Sequence, residues 1–181
     1  VYNLEDALVV AGFLNSFIRH ADVVKIANIA QIVNVIAPIL TREDEMLIQA
    51  SFYPIEMIAK RGNGVALRTV VDGPCYDSTN NGTATYIDTS AILDGNTLQI
   101  VAVNRSLDET AEVCVSPADG AISGFESGEL LTGPDPKAAN SFEQPDIVTP
   151  QALTGVEIAS GCAVIELPPL SVGVMTLQID K

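Results

Sequence analysis

Tryptophan is absent from this 181-residue chain, and aromatic residues make up only 5 per cent of it. Surfaces that grip sugars by stacking need exposed aromatic rings, so a dedicated carbohydrate platform is poorly supplied. Histidine occurs once, as His20, which excludes a Ser-His-Asp triad or a histidine-rich metal site built within this chain. Cysteine occurs three times, as Cys75, Cys114 and Cys162, widely spaced and without CxxC. Neither a disulfide framework nor a zinc site is expected; free thiols in a reducing compartment are. Basic residues number 9 against 23 acidic, a net charge of −14. Such a chain repels nucleic acid and anionic lipid, so neither is expected as a partner. The longest apolar run, Ala7 to Leu14, falls far short of the roughly 20 residues that span a membrane. Phosphate-cradling loops are missing too, because Arg61-Gly62-Asn63-Gly64 has neither GxGxxG nor Walker spacing. The start, Val1-Tyr2-Asn3-Leu4-Glu5, has no initiator Met and no basic n-region, and reads as the interior of a longer protein.

What is present suits a globular fold. Apolar residues make up 48 per cent and charged residues 18 per cent, enough to bury a core and too apolar for disorder. Charge is uneven. Residues 1–61 carry 5 basic and 7 acidic side chains, whereas residues 62–181 carry 4 and 16. A domain boundary is expected near residue 62.

Asn3 and Asp6 stand at capping-box spacing, and Leu4, Ala7, Leu8, Ala11, Leu14 and Ile18 recur at helical spacing. A helix is predicted over about 4–20, closed by Arg19 and His20, where cations suit the helix dipole. Val9, Val10 and Phe13 make its other faces apolar, as in a helix packed inside a larger body. After the short Ala21-Asp22 link, the β-branched run Val23–Ile29 predicts a strand, and helix, loop and strand form the second half of a βαβ unit. Ile32–Ile39 is a second extended piece, Thr41–Glu45 a polar loop, and 51–60 a helix with Pro54 in its first turn, ended by Gly62-Asn63-Gly64. Beyond Gly64, strands are predicted at 65–72, 86–93, 98–104, 111–115, 147–148, 156–158, 163–167 and 172–179, with Asp94-Gly95 as a hairpin turn. Short strands punctuated by Gly, Pro, Asn and Asp read as an antiparallel sandwich or barrel. Parallel sheets need several strands with both faces covered, so the α/β part, 1–62, requires polypeptide from elsewhere.

Candidate chemistry is sparse. His20 reads as a helix cap. Glu5 and Asp6 sit in a first turn, where the dipole favours acids, and Glu43-Asp44-Glu45 read as solvated. No acid/base pair is convincing. Asn81-Gly82-Thr83 and Asn104-Arg105-Ser106 match the glycosylation sequon, a pattern common by chance. Gln31 falls just past the C-terminal end of the predicted strand 23–29, the end where (β/α)8 barrels carry their active sites. Its amide is either a structural cap or a donor and acceptor for a sugar hydroxyl.

Several runs resemble a known family. Tyr2-Asn3-Leu4-Glu5-Asp6-Ala7-Leu8, His20-Ala21-Asp22, Val24-Lys25-Ile26-Ala27-Asn28 and, above all, Ala30-Gln31-Ile32-Val33-Asn34-Val35-Ile36-Ala37-Pro38-Ile39 are similar to α-L-arabinofuranosidases of glycoside hydrolase family 51. Tyr53-Pro54, Gly64-Val65-Ala66-Leu67, Val103-Asn104-Arg105-Ser106, Lys137 to Pro145 and Leu167-Pro168-Pro169-Leu170-Ser171-Val172 continue the likeness in order. The resemblance implies the C-terminal end of a (β/α)8 barrel over 1–62 (helix 7, strand 8, helix 8), then a jelly-roll-like antiparallel β-sandwich over 63–181. It implies a retaining, exo-acting enzyme that removes terminal arabinofuranose from arabinan, arabinoxylan and oligosaccharides. Its two catalytic Glu residues lie upstream, so this chain supplies no catalytic residue. It implies that Gln31 hydrogen-bonds the arabinose, with 34–41 framing the barrel mouth. It further implies no cofactor and no metal. The expected partners are an upstream polypeptide carrying strands 1–7, arabinofuranosyl oligosaccharides and further copies in a homo-oligomer, possibly a hexamer. The acidic surface and free thiols lean toward the cytoplasm. The other class left open is a non-catalytic β-sandwich module for carbohydrate binding or assembly.

Overall fold

The computed structural model describes residues 1–80 and 82–180. The first helix, α1 (Leu4–Arg19), begins as its cap predicts: Asn3 Oδ1 accepts from the Asp6 N–H at 3.1 Å, and Asp6 Oδ2 accepts from the Asn3 N–H at 2.9 Å. It ends at His20, whose Nδ1 lies 2.8 Å from the Ser16 carbonyl. No helix among the described residues is long and apolar enough to cross a membrane.

Then come β1 (Ile39–Arg42), β2 (Glu45–Ile48), α2 (Phe52–Ala59), β3 (Val65–Leu67), β4 (Cys75–Ser78), β5 (Gly82–Thr85), β6 (Ile87–Asp94), β7 (Thr97–Asn104) and β8 (Ala111–Val115). β9 (Ala121–Leu131), β10 (Gln151–Ala152), β11 (Glu157–Ala159), β12 (Cys162–Leu167) and β13 (Ser171–Asp180) complete the order. Six strands form one sheet, ordered β10-β9-β13-β7-β6-β3, and three form a second, β11-β12-β8. Every strand pairing is antiparallel.

The large sheet is covered on both faces. On one, Leu4, Ala7, Leu8 and Ala11 of α1 and Met57 of α2 meet Val101, Val103, Val172 and Val174. On the other, Leu98, Ile100, Met175 and Leu177 meet Ala163, Ile165 and Leu167 of β12. The alternation of β7 and β13 thus feeds two cores, which is why those strands read as continuous apolar runs. The helix-side core crosses residue 62, joining α1 and α2 to the sandwich.

α1 is also locked by polar groups. Asn15, fully buried, donates from Nδ2 to Asp88 Oδ2 at 2.8 Å and accepts from Ser90 Oγ at 2.7 Å. Arg19 pairs with Asp88 at 3.0 Å.

Several expectations need correction. Residues 23–29 form no strand; they run as irregular chain with Val23 and Ile26 exposed. A strand needs a neighbour for its backbone, and no parallel partner lies beside this segment among the described residues. Thr41–Glu45 is not a loop but the tip of the hairpin β1–β2, turned at Glu43-Asp44. The strand expected at 65–72 stops at Leu67, and 147–148 form none. Val148 is buried there in the helix-side core, and its N–H donates to Asn140 Oδ1 at 2.8 Å. The strands β4, β5, β9 and β10 were not expected. Asn104 cannot carry a glycan: it is fully buried and donates to the carbonyls of Glu109, Leu167 and Pro168. Asn81 lies outside the described residues.

Candidate functional site

Gln31 sits in a segment that leaves α1 and crosses the surface before β1. Its backbone is left-handed, with φ of 53°, and so are Asn34 at 62° and Val35 at 61°. Such conformations are costly for residues with a Cβ, most of all for branched valine, and persist only where surroundings enforce them. The surroundings here are specific. Asn34 Oδ1 accepts from the Thr41 N–H at 2.8 Å, its Nδ2 donates to Thr41 Oγ1 at 2.9 Å, and the Asn34 N–H donates to the Ile39 carbonyl at 2.8 Å. Tyr2 Oη donates to the Ile36 carbonyl at 2.7 Å. Gln49, 2 per cent exposed, bridges beneath: Nε2 donates to the Ala37 carbonyl at 2.5 Å and Oε1 accepts from the Tyr2 N–H at 2.8 Å. The bend at 34–37 is therefore fixed from below by α1's leading residue and the end of β2.

Gln31 itself is exposed, and among the described residues its amide makes no hydrogen bond. An amide in that place can both donate and accept a hydrogen bond.

Tyr2 and Gln49 were not singled out in the sequence. Nothing marks them there, since their roles arise from contacts 34 and 47 residues away. The hairpin that continues the loop is held to the sandwich through Arg42. Its guanidinium lies 4.3 Å from the Phe142 ring centre, 2.8 Å from Glu45 and 3.2 Å from Glu143. A backbone hydrogen bond and then Arg42 hold the Glu143 carboxyl below its ordinary pKa.

The remaining candidates are structural. Asp6 closes the capping box, and Glu5 pairs with Lys137 across to the loop after β9. Glu43 and Asp44 form the exposed hairpin turn. None of them faces another carboxylate across a cleft.

Large apolar side chains are exposed on α1 and in the segment that follows it. Val9, Phe13 and Phe17, on the side of α1 away from the sheet, are exposed, Phe13 to 60 per cent. Ile26, Ile29, Ile32, Val35 and Ile36 are exposed along the segment, Ile26 to 76 per cent and Val35 to 82 per cent. A cavity of about 300 Å³ opens between Phe17, Ile18, Val24, Ile26 and Ile58.

Residues 1–171 match the family model for the α-L-arabinofuranosidase C-terminal domain. An intracellular exo-α-(1→5)-L-arabinofuranosidase of Streptomyces lividans is 34 per cent identical over 94 per cent of this chain and 26 per cent of its own length. One from Bacillus subtilis is 34 per cent identical over 98 per cent of this chain and 36 per cent of its own length. The chain therefore spans about a quarter to a third of these relatives. A family 51 α-L-arabinofuranosidase from Bifidobacterium longum superposes with a TM-score of 0.87, at 27 per cent identity, over 99 per cent of this chain and 36 per cent of that one. A second, from Xanthomonas axonopodis, gives 0.88 at 27 per cent identity, over 98 and 36 per cent. With two helices on a β-sandwich, a match through residue 171 and these relatives along nearly its whole length, the chain belongs to the α-L-arabinofuranosidase C-terminal domain family, as the C-terminal portion of a glycoside hydrolase family 51 enzyme.

Proposed function

We propose that this chain is part of a retaining, exo-acting α-L-arabinofuranosidase that hydrolyses terminal arabinofuranosyl residues of arabinan, arabinoxylan and arabino-oligosaccharides. The observation that carries this is the paired likeness to exo-arabinofuranosidases in sequence and in fold over nearly all of the chain. In such a mechanism two carboxyl groups stand about 5–5.5 Å apart, one acting as nucleophile and the other as acid and then base. Neither belongs to this chain; both sit in the upstream polypeptide with barrel strands 1–7.

Residues 1–62 complete that barrel. The bare apolar stripe of α1 and the exposed run 23–36 are the surfaces on which the other strands and helices pack. Segment 23–29 becomes the eighth strand once a parallel neighbour supplies its hydrogen bonds. Gln31 then lies at the C-terminal rim, with its amide directed at the arabinose, and the anchored bend at 34–37 frames the mouth. Residues 63–181 buttress the barrel. The enzyme acts in the cytoplasm, in keeping with the intracellular relatives, and assembles as a homo-oligomer.

The test is turnover of 4-nitrophenyl α-L-arabinofuranoside by the complete enzyme and by residues 1–181 alone. Activity of the complete enzyme with none from the isolated chain is the expected pair. Turnover by the isolated chain would move the chemistry onto Glu43, Asp44 and Glu45. An inactive complete enzyme would favour a binding or assembly module.

A further inference from the structure

In the smaller sheet, β8 is an edge strand, bonded among the described residues only to β12. That register sets Cys114 opposite Val164 and Val115 opposite Ala163. Side chains alternate along a strand, so Cys162, two residues before Val164, shares the face of Cys114. The face points away from the core: Cys114 is exposed and Cys162 half-exposed, while Ala163 and Ile165 on the other face are buried. The two thiols are diagonal neighbours on adjoining strands. Burial and then the adjoining Cys162 thiol hold the Cys114 pKa above the ordinary thiol range, with Glu112 adding to it. Cys75 stands apart in the β4–β5 hairpin.

We propose that Cys114 and Cys162 form a reversible oxidation site, closing to a disulfide between β8 and β12 when the protein meets hydrogen peroxide. The Cys162 thiolate attacks the O–O bond, becoming a sulfenic acid and releasing hydroxide, which takes the proton that the Cys114 thiol gives up in the next step. The other thiol attacks that sulfur and expels its hydroxyl as water. Two thiols lose two electrons, and one peroxide becomes two waters.

Three features of the sheet support the closure. Diagonal neighbours lie roughly 7–8 Å apart at Cα, just beyond the span of about 6.8 Å that a disulfide tolerates. The strands must therefore close by about 1 Å, and an edge strand with one partner can move that far. Glu112 stands directly opposite Glu166 on the same face, and like charges so placed loosen the pairing. Glu157, opposite Val164, adds a third carboxylate to that face. These acids repel an anionic oxidant such as glutathione disulfide and leave neutral peroxide unhindered. A bridge closed under strain is readily reduced, which makes it a switchable bond rather than a structural one.

The site is independent of the arabinofuranosidase reading. In the test, the complete enzyme is reduced, exposed to hydrogen peroxide, alkylated and digested without reductant. Mass spectrometry should find a peptide pair joined through Cys114 and Cys162 within one molecule, lost after dithiothreitol. Cys75→Ser should leave the pair intact. Of the variants Cys114→Ser and Cys162→Ser, at least one should retain a sulfenic acid that dimedone captures, and the parent enzyme should not. Separate alkylation of both thiols after peroxide treatment, over-oxidation of either alone, or a link only between molecules would overturn the proposal.

Discussion

At the scale of single residues, the polar side chains that matter are those with no slack. Asn15 spans α1 and β6 through half-buried Asp88 and buried Ser90. Replacing it with Ala leaves the buried Ser90 hydroxyl without its acceptor and takes one donor from Asp88, at a cost of about 1–3 kcal/mol. Thermal melting of Asn15→Ala should show that loss, and an unchanged melting temperature would mean the groups find water instead. Gln31 is the opposite case, an amide bonded to nothing among the described residues. Gln31→Ala in the complete enzyme should lower kcat/KM by roughly 10- to 100-fold, the equivalent of one buried polar group left unpaired. Its melting temperature should not move. Kinetics equal to the parent enzyme would remove Gln31 from the sugar site. Gln31 was singled out because it follows a run of β-branched residues, a run that forms no strand among the described residues. Asn15 was not: on a helical wheel it is one more polar interruption, and only the fold shows that it faces Asp88.

At the scale of elements, legibility tracked how much of each segment's structure is local. α1 was plain from its capping box and spacing, and β6–β7 from Asp94-Gly95, whose hairpin closes through Gly95 with φ of 59°. β9 was missed because Gly124, Gly128, Glu126 and Glu129 break its alternation. Gly128 is an accommodation: a Cβ there would meet Leu153 at 2.9 Å. Segment 23–29 failed for another reason, since its sequence is strand-like but no neighbouring strand among the described residues takes its backbone hydrogen bonds. Gly64 marks the join between α2 and β3. It has φ of 125°, and a Cβ there would collide with the Leu93 carbonyl. Gly64→Ala should cost more than the roughly 1 kcal/mol typical of a point substitution and should detach β3 from β6. Hydrogen exchange of the Val65–Leu67 amides would report the detachment, and full protection in the variant would refute it. The β1–β2 hairpin responds to pH through Glu143. A carboxyl whose folded pKa is depressed stabilises above its unfolded value and loses that contribution as pH falls through the folded one. Both partners are exposed, so the effect is small. The hairpin should loosen only below the ordinary carboxylate range near pH 4. Glu143→Gln should flatten that response. A variant with the same acid profile as the parent would assign the change to other groups.

At the scale of the whole molecule, the charge step near residue 62 does not coincide with a break in packing. α1 and α2 spend their buried faces on the large sheet, so residues 1–62 hold no core of their own. Expressed alone, they should aggregate or melt without cooperativity. A soluble monomer with a sharp transition would contradict this. The sandwich was legible from its turns and short strands, because turn chemistry is local. The order β10-β9-β13-β7-β6-β3 was not, since neighbours such as β9 and β13 are distant in sequence and their pairing has no local signature.

The place of β13 has a consequence for how the protein is made. β13 follows every other described strand in sequence, yet it lies between β9 and β7 and pairs with both along most of its length. During synthesis the β6–β7 hairpin can form early, but one edge of β7 and one edge of β9 then wait without a partner on the ribosome. Only β13 joins the halves, so the nascent chain passes through a stage exposed to edge pairing with other copies. Ribosomes that stall before Ser171 would release a product that cannot close its sheet. Such chains should be found with chaperones and in inclusion bodies rather than as a smaller folded domain.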